Sequence, residues 1–93
     1  MSFDPEDIVP QYERRIIAAA WLYYHSNLES PVSDSLYDQM VQYVVANWYA
    51  TTPGFRKRLT REDLCSSTSL FNLKTTKAEQ KEATAWALGI RKL

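Results

Sequence analysis

The chain has 93 residues, 45% of them hydrophobic and 13% aromatic, and its eleven basic and eleven acidic residues give a formal net charge of zero. This length fits one domain, and the apolar content is sufficient for a core and argues against disorder. A neutral chain has no overall field to attract nucleic acid or acidic membranes. Little charge repulsion opposes self-association, so a homo-oligomer stays open.

One cysteine and one histidine limit the chemistry of the chain. Cys65 has no partner cysteine for an intramolecular disulfide, and one Cys with one His does not supply a zinc site. The first residues are acidic, unlike those of a signal peptide, and the longest uncharged apolar run, residues 16–24, is too short to cross a bilayer. We therefore predict a protein of the reducing cytoplasm, with no metal cofactor and no membrane contact.

The first predicted helix covers residues 8–28. Pro5 suits a first helical position, whereas Pro10 would cost about 3 kcal/mol inside a helix. We expect a short turn after Pro5 and a main helix that begins near Pro10. Apolar residues at spacing four place Tyr24 and its neighbour His25 at the C-terminal end of an apolar face.

A short connection, residues 27–31, turns the chain back toward a second helix. Ser33 is a predicted N-cap. The helix is expected over residues 34–50, because apolar residues recur there at spacings of three and four. One face of this helix carries two carboxylates, an aromatic ring and an apolar side chain: Asp34, Asp38, Tyr37 and Val41.

Two groups of side chains therefore approach each other across the connection: Tyr24 and His25 from the first helix, and Asp34, Tyr37 and Asp38 from the second. Ring faces and carboxylates suit a flat cationic group that also carries hydroxyl or amide N–H groups. A nicotinamide riboside has these features. The same residues also fit a purely structural interpretation, in which the aromatic residues pack in the core and the acidic residues only start a helix.

The segment of residues 24–38 resembles the small N-terminal domain, called Ia, of bacterial NAD-dependent DNA ligases. That domain has a Tyr-His or similar pair at a helix end, a short loop with proline, and a helix start of the D-x-E-Y-D type. Here the pair is Tyr24 and His25, the helix start is D-S-L-Y-D, and ten positions separate Tyr24 from Asp34, as expected in the family. The resemblance covers about residues 12–53, and it departs from the family at Leu36, where a Glu is usual.

The resemblance implies a ligand. In the ligases this domain grips the nicotinamide mononucleotide half of NAD and is needed for self-adenylylation. By resemblance, the cofactor-binding residues are Tyr24, His25 and Tyr37 against the nicotinamide ring, and Asp34 and Asp38 against its amide and ribose. Tyr23 is a weaker candidate. The K-x-D-G lysine motif of the ligase's nucleotidyltransferase domain does not occur in these 93 residues, so we expect no enzyme activity from this chain alone.

A Thr-Thr-Pro-Gly stretch, residues 51–54, separates the ligase-like part from residues 55–93. Four basic residues follow within six positions: Arg56, Lys57, Arg58 and Arg61. They could bind a nucleotide phosphate or a nucleic-acid backbone, or form a solvated edge that pairs with Glu62 and Asp63. In a neutral protein we favour the solvated edge. Residues 55–59 could also be extended.

Two capping boxes predict helices in this half. The first, from Thr60 to Asp63, would begin a short helix; the second, from Thr76 to Glu79, opens a last helix that ends at Gly89. Between them, apolar residues are expected to return the chain to the core: Leu70, Phe71 and Leu73.

The predicted fold is all-α: two long antiparallel helices, with one or two shorter C-terminal helices packed on them in a single domain. The first predicted function is a freestanding, non-catalytic module of the kind that a phage encodes, which binds nicotinamide mononucleotide or NAD or modulates a host enzyme. The alternative is a protein–protein interaction module, such as a phage inhibitor of a host protein, which keeps the scaffold without the ligand. An exposed cluster with Trp21, Trp48 or Trp86 would favour it. Nucleic-acid binding through the four basic residues is a third hypothesis, against which the zero net charge counts.

Overall fold

The computed structural model describes residues 4–65, 70 and 73–93. Within these ranges the chain forms α-helices and one 3-10 turn, and no strand. The elements in chain order are α1 (Pro5–His25), α2 (Asp34–Ala46), a 3-10 turn (Trp48–Ala50), α3 (Pro53–Arg58), α4 (Arg61–Cys65) and α5 (Lys77–Ala87). The all-α class is confirmed. The predicted number of shorter helices was too low, since three α-helices follow the first two in the described part.

α1 is continuous through its second proline. Pro10 lies inside the helix, so the predicted break between Pro5 and Pro10 is wrong. Pro10 gives up one main-chain hydrogen bond, but Val9 beside it is completely buried, and burying such a side chain contributes about 1.5–3 kcal/mol. α1 ends at His25, three residues earlier than predicted, because Ser26 adopts an extended backbone with φ −126° and ψ 155°.

α2 begins where the sequence predicts. The Ser33 hydroxyl accepts a hydrogen bond from the Leu36 N–H at 3.1 Å and thereby satisfies one of the unpaired donors of the first turn. The helix is shorter than predicted, since Asn47 departs from helical geometry with φ −119° and ψ 43°. The 3-10 turn Trp48–Ala50 then carries the chain toward α3.

α1 packs against both α2 and α5, and its two sides belong to different apolar clusters. We call the larger one the α2-side core; its buried members are Val9, Ile16, Ile17, Ala20, Met40, Val44, Phe55, Leu59, Leu64 and Leu70. We call the smaller one the α5-side core; its buried members are Ala18, Leu22 and Ala83, with Trp21, Leu28, Trp86, Ala87 and Leu93 packed against them.

A buried carboxylate positions the start of α3. Glu13 on α1 is 5% exposed and accepts two hydrogen bonds from Thr52, one from its main-chain N–H at 2.8 Å and one from its hydroxyl at 2.9 Å. The Thr52 oxygen in turn accepts from the Phe55 N–H at 3.4 Å, so Thr52 caps α3, with Pro53 at the first helical position. The expectation of extended backbone over residues 55–59 is therefore wrong for 55–58.

Both predicted capping boxes are confirmed. The Thr60 N–H donates to the Asp63 carboxylate at 2.9 Å, and the Asp63 N–H donates to the Thr60 hydroxyl at 3.1 Å. Thr76 and Glu79 form the same reciprocal pair, at 2.9 Å and 3.1 Å. These pairs fix the first turns of α4 and α5.

The predicted glycine terminates α5: the last helical residue is Ala87, Leu88 is the C-cap, and Gly89 follows it. Gly89 has φ +75°, a conformation that only glycine adopts without strain. The Gly89 N–H donates to the Trp86 carbonyl at 3.1 Å and the Ile90 N–H donates to the Ala85 carbonyl at 2.9 Å, which is the Schellman pattern of a helix C-terminus.

The segment before α5 returns to the core as predicted at the positions that the structure describes. Leu70 is buried and Leu73 packs against the α2-side core, whereas Phe71 lies outside the described residues. None of the helices in the described ranges combines the length and apolar content that a membrane span requires.

Candidate ligand-binding site

Helices α1, α2 and α4 border a cavity of about 770 Å³ that is open to solvent on one side, a size within the usual range for small-molecule sites. α1 contributes its last two turns to the wall, and α2 contributes one face along almost its whole length. Leu64 and Leu70 close it with apolar side chains. The cavity is therefore built on the α2-side core, and the charged and aromatic groups at its wall can be compared with those predicted from the sequence.

Four of the five predicted cofactor-binding residues line this one cavity: Tyr24, Asp34, Tyr37 and Asp38. The α2 face predicted from spacing is thus directed into the cavity as a unit, since Val41 lines it too. His25 is exposed at the last position of α1 and is not part of the cavity wall.

Two neighbouring tyrosines of α1 border the cavity. The rings of Tyr23 and Tyr24 are 4.9 Å apart and nearly perpendicular, at 86°, an edge-to-face arrangement that favours a defined ring orientation. Tyr23 is 71% exposed, whereas Tyr24 is half-buried and packs on the α2-side core. Tyr23 therefore lies at the rim, and Tyr24 lies deeper in the wall.

Tyr37 is kept as a neutral phenol. Burial raises the pKa of its hydroxyl well above the usual range, and the neighbouring Tyr24 and Asp38 raise that pKa further because they oppose a second negative charge. Like any tyrosine, Tyr37 is protonated at neutral pH and can donate a hydrogen bond; the raised pKa extends the protonated form to more alkaline pH. The negative charge of the α2 face rests on Asp34 and Asp38 alone.

The two carboxylates are accessible. Asp34 and Asp38 are both exposed, and neither side-chain carboxylate has a hydrogen bond or an ion pair to another residue of the described ranges. They lie four residues apart on α2 and thus on the same side of the helix. Their acceptor oxygens are available to a ligand that brings N–H or O–H groups, or a positive charge, into the cavity.

The four basic residues that follow α2 separate into different environments. Arg58 forms a two-pronged ion pair with Glu79, at 2.7 Å and 3.0 Å, and also donates to the Lys74 carbonyl at 2.7 Å. Arg56 and Lys57 are exposed and lie outside the cavity wall, whereas Arg61 lines the cavity. The sequence predicted that this segment pairs with Glu62 and Asp63. Arg58 pairs with Glu79 instead.

The ion pair between Arg58 and Glu79 lowers the pKa of the Glu79 carboxyl. Partial burial acts to raise the pKa of Glu79, but the hydrogen bonds from Arg58 and Thr76 and the guanidinium charge outweigh it, so the net pKa is lowered. This pair joins α3 to the start of α5, away from the cavity. Its role is structural.

Sequence reasoning missed part of the cavity wall. Val45 continues the predicted α2 face at spacing four from Val41, so the helical period could have identified it. Leu64 and Arg61 reach the cavity only because α4 packs against α2. No local pattern encodes that contact.

Within the described ranges there is no group of three or more His, Cys, Asp or Glu side chains placed to hold a metal ion. Comparison of the chain with protein-family models, curated proteins and solved structures gives no match. The function is accordingly inferred from the cavity and its lining residues.

Proposed function

We propose that this protein is a non-catalytic module that binds nicotinamide mononucleotide, or the matching half of NAD, in the cavity between α1, α2 and α4. The supporting observation is that Tyr24, Asp34, Tyr37 and Asp38, which the sequence pattern groups together as ligand-binding residues, line the same cavity. Residues that only started a helix or packed in a core would not need to converge on open space.

The cavity wall matches the chemistry of the proposed ligand. A pyridinium ring is flat and cationic, so it is attracted both to tyrosine ring faces and to the carboxylates of Asp34 and Asp38. The same carboxylates accept hydrogen bonds from ribose hydroxyls and from a carboxamide N–H. The protonated Tyr37 hydroxyl can donate to the carboxamide oxygen. A contact with His25 stays a prediction from the resemblance.

The module is proposed to bind without reacting. The resemblance covers only the part of a ligase that holds the nucleotide, and the lysine motif that attacks NAD is missing from the sequence. Binding would then sense or sequester the nucleotide, or modulate an enzyme that uses it. A cytoplasmic location stays a prediction that agrees with this ligand.

Thermal unfolding with and without nucleotide tests the proposal directly. A ligand at one hundred times its Kd adds about 2.7 kcal/mol to the free energy of unfolding, which raises Tm by roughly 10 °C or more in a domain of this size. We expect nicotinamide mononucleotide and NAD to raise Tm and AMP to leave it unchanged. No shift with any of them at millimolar concentration would overturn the proposal.

Charge-neutralising variants identify the site. Asp34→Asn and Asp38→Asn should each weaken nicotinamide mononucleotide binding by roughly 10- to 100-fold, since a hydrogen bond to a charged group is worth about 1.5–3 kcal/mol. Stability should change little because both side chains are exposed. Asp7→Asn, at an exposed position of α1 outside the cavity wall, is the matched control and should bind normally.

The alternative, an interaction module without a ligand, receives less support. An exposed aromatic cluster would favour this alternative, but Trp21, Trp48 and Trp86 are all half-buried. Trp48 packs near Phe55 with the ring centres 6.1 Å apart, and the other two pack on the α5-side core. If no nucleotide stabilises the protein, its oligomeric state and its protein partners become the next measurements.

A further inference from the structure

The cavity contains one feature outside the ligase-like half of the chain: the guanidinium of Arg61. This residue begins α4, and α4 packs against α2. Arg61 therefore lines the same cavity as Asp34 and Asp38. The cavity thus carries a positive charge from α4 and two negative charges from α2.

Arg61 combines two properties that no neighbouring basic residue shares. Arg58 is held by Glu79 and Lys74, whereas the guanidinium of Arg61 has no hydrogen bond or ion pair to any residue within the described ranges. Arg56 and Lys57 also have no such partner, but they lie outside the cavity wall, which Arg61 lines. Asp63 lies two positions after Arg61, but its carboxylate accepts a hydrogen bond from the Thr60 N–H at 2.9 Å. It does not pair with Arg61. The donors of Arg61 are therefore available to a ligand.

The charges of the wall set a condition on the ligand. Two carboxylates attract a cation but repel a phosphate, and the repulsion grows in a cavity that is partly shielded from water. A guanidinium offsets it, because its fork of N–H donors fits phosphate oxygens in a bidentate pair. A cavity with both kinds of charge suits a dipolar ligand that carries a cationic ring and a phosphate.

We propose that Arg61 binds the phosphate of the ligand, so that the cavity selects a phosphorylated nicotinamide nucleoside over the unphosphorylated one. This inference rests on the proposed function, because it assigns a further group to the same cavity. It also gives α4 a role in recognition, although α4 lies outside the segment that resembles the ligase domain.

Isothermal titration with two probes tests the assignment: nicotinamide mononucleotide and nicotinamide riboside, which has the same cationic ring and ribose but no phosphate. The wild-type protein should bind the mononucleotide at least about 10-fold more tightly than the riboside. Arg61→Gln should remove this preference and leave the riboside affinity unchanged. Arg61→Lys keeps the charge without the fork and should retain part of the preference.

The control is Lys57→Gln, which removes a positive charge of the same segment at an exposed position outside the cavity wall. It should keep the wild-type preference, and equal loss in both variants would mean that only the general charge of the segment matters. Arg61→Gln is expected to fold normally because Arg61 is exposed, and its Tm without ligand checks this.

The outcomes separate the two proposals. If the wild-type protein binds neither probe, the proposed function itself fails. If it binds both and Arg61→Gln keeps the preference, or weakens both probes equally, the proposed function stands and the role of Arg61 as the phosphate ligand is overturned.

Discussion

The two sides of α1 are built from similar small residues but are filled to different extents. On the α5 side, Ala18 and Ala83 are buried and the indoles of Trp21 and Trp86 pack over them. On the α2 side, Ala19 and Ala20 are also buried, yet they border a cavity of about 770 Å³. Small residues therefore allow close packing where a large neighbour covers them, and leave room where the neighbours are rim tyrosines and carboxylates. The α5 side of α1 is thus covered at its small residues, whereas the α2 side, although it holds the larger core, leaves space beside Ala19 and Ala20.

A matched pair of Leu→Ala substitutions gives the largest expected difference between the sides. Leu22 is completely buried in the α5-side core, so Leu22→Ala should leave a new cavity and cost about 3–5 kcal/mol. Leu64 is also buried but already borders the α2-side cavity, so Leu64→Ala should cost nearer 2 kcal/mol. Urea unfolding measures both; equal losses would show that the two sides are equally well packed.

The converse experiment adds volume. Ala83→Leu places a larger side chain in the filled α5-side core and should cost about 1–3 kcal/mol. Ala20→Leu can extend into the cavity and should cost less than about 1 kcal/mol; if the proposed function holds, it should also block nicotinamide mononucleotide binding. If Ala20→Leu destabilises as much as Ala83→Leu, the cavity is not usable space.

Alkaline unfolding examines the cavity side alone. Because burial raises the pKa of Tyr37 in the folded protein, its contribution to stability is complete below the unfolded pKa of about 10 and is lost as the pH rises above that value. The expected loss has a slope of up to about 1.4 kcal/mol per pH unit. Tyr37→Phe should lack this component, whereas the matched control Tyr49→Phe, at a 67% exposed position, should keep it.

The smallest expected effect concerns the link between the two sides. Arg58→Lys removes the two-pronged bond to Glu79 and should cost about 0.5 kcal/mol, since the pair is partly exposed. The net pKa of Glu79 is lowered, so the stability that the pair contributes is present above the unfolded pKa of about 4.3 and is lost as the pH falls below it. The variant should therefore lose less stability between pH 5 and about pH 3 than the wild type. An identical acid profile would contradict this.

Local signals predicted the starts of α2, α4 and α5 correctly. Each of these starts is fixed by a capping residue that bonds to the residue three positions later: Ser33, Thr60 and Thr76. Both partners of each bond are therefore visible in a short stretch of sequence. The cavity-facing side of α2 was predictable for a similar reason, because a helical period needs only spacing. The identity of that face as a cavity wall was not predictable from spacing alone.

The wrong predictions depend on distant contacts. Pro10 is accommodated inside α1, next to Val9, which is buried in the α2-side core, and residues 55–58 are helical under a cap that Glu13 holds from α1. Arg58 and Arg61 look equivalent in the sequence, yet Glu79, twenty-one residues from Arg58, separates their roles. Each of these outcomes was decided by a partner that the local pattern does not contain.

The bonds from Thr52 to Glu13 have a consequence for dividing the chain. The composition of residues 51–54 suggests a boundary at which the chain could be divided. A fragment ending there would lose α3, whose first turn Thr52 caps. It would also lose three residues of the cavity wall: Arg61, Leu64 and Leu70. The part of the chain after the boundary would in turn lose the Glu13 carboxylate that holds Thr52. Truncation at this boundary would therefore yield two incomplete pieces rather than two domains.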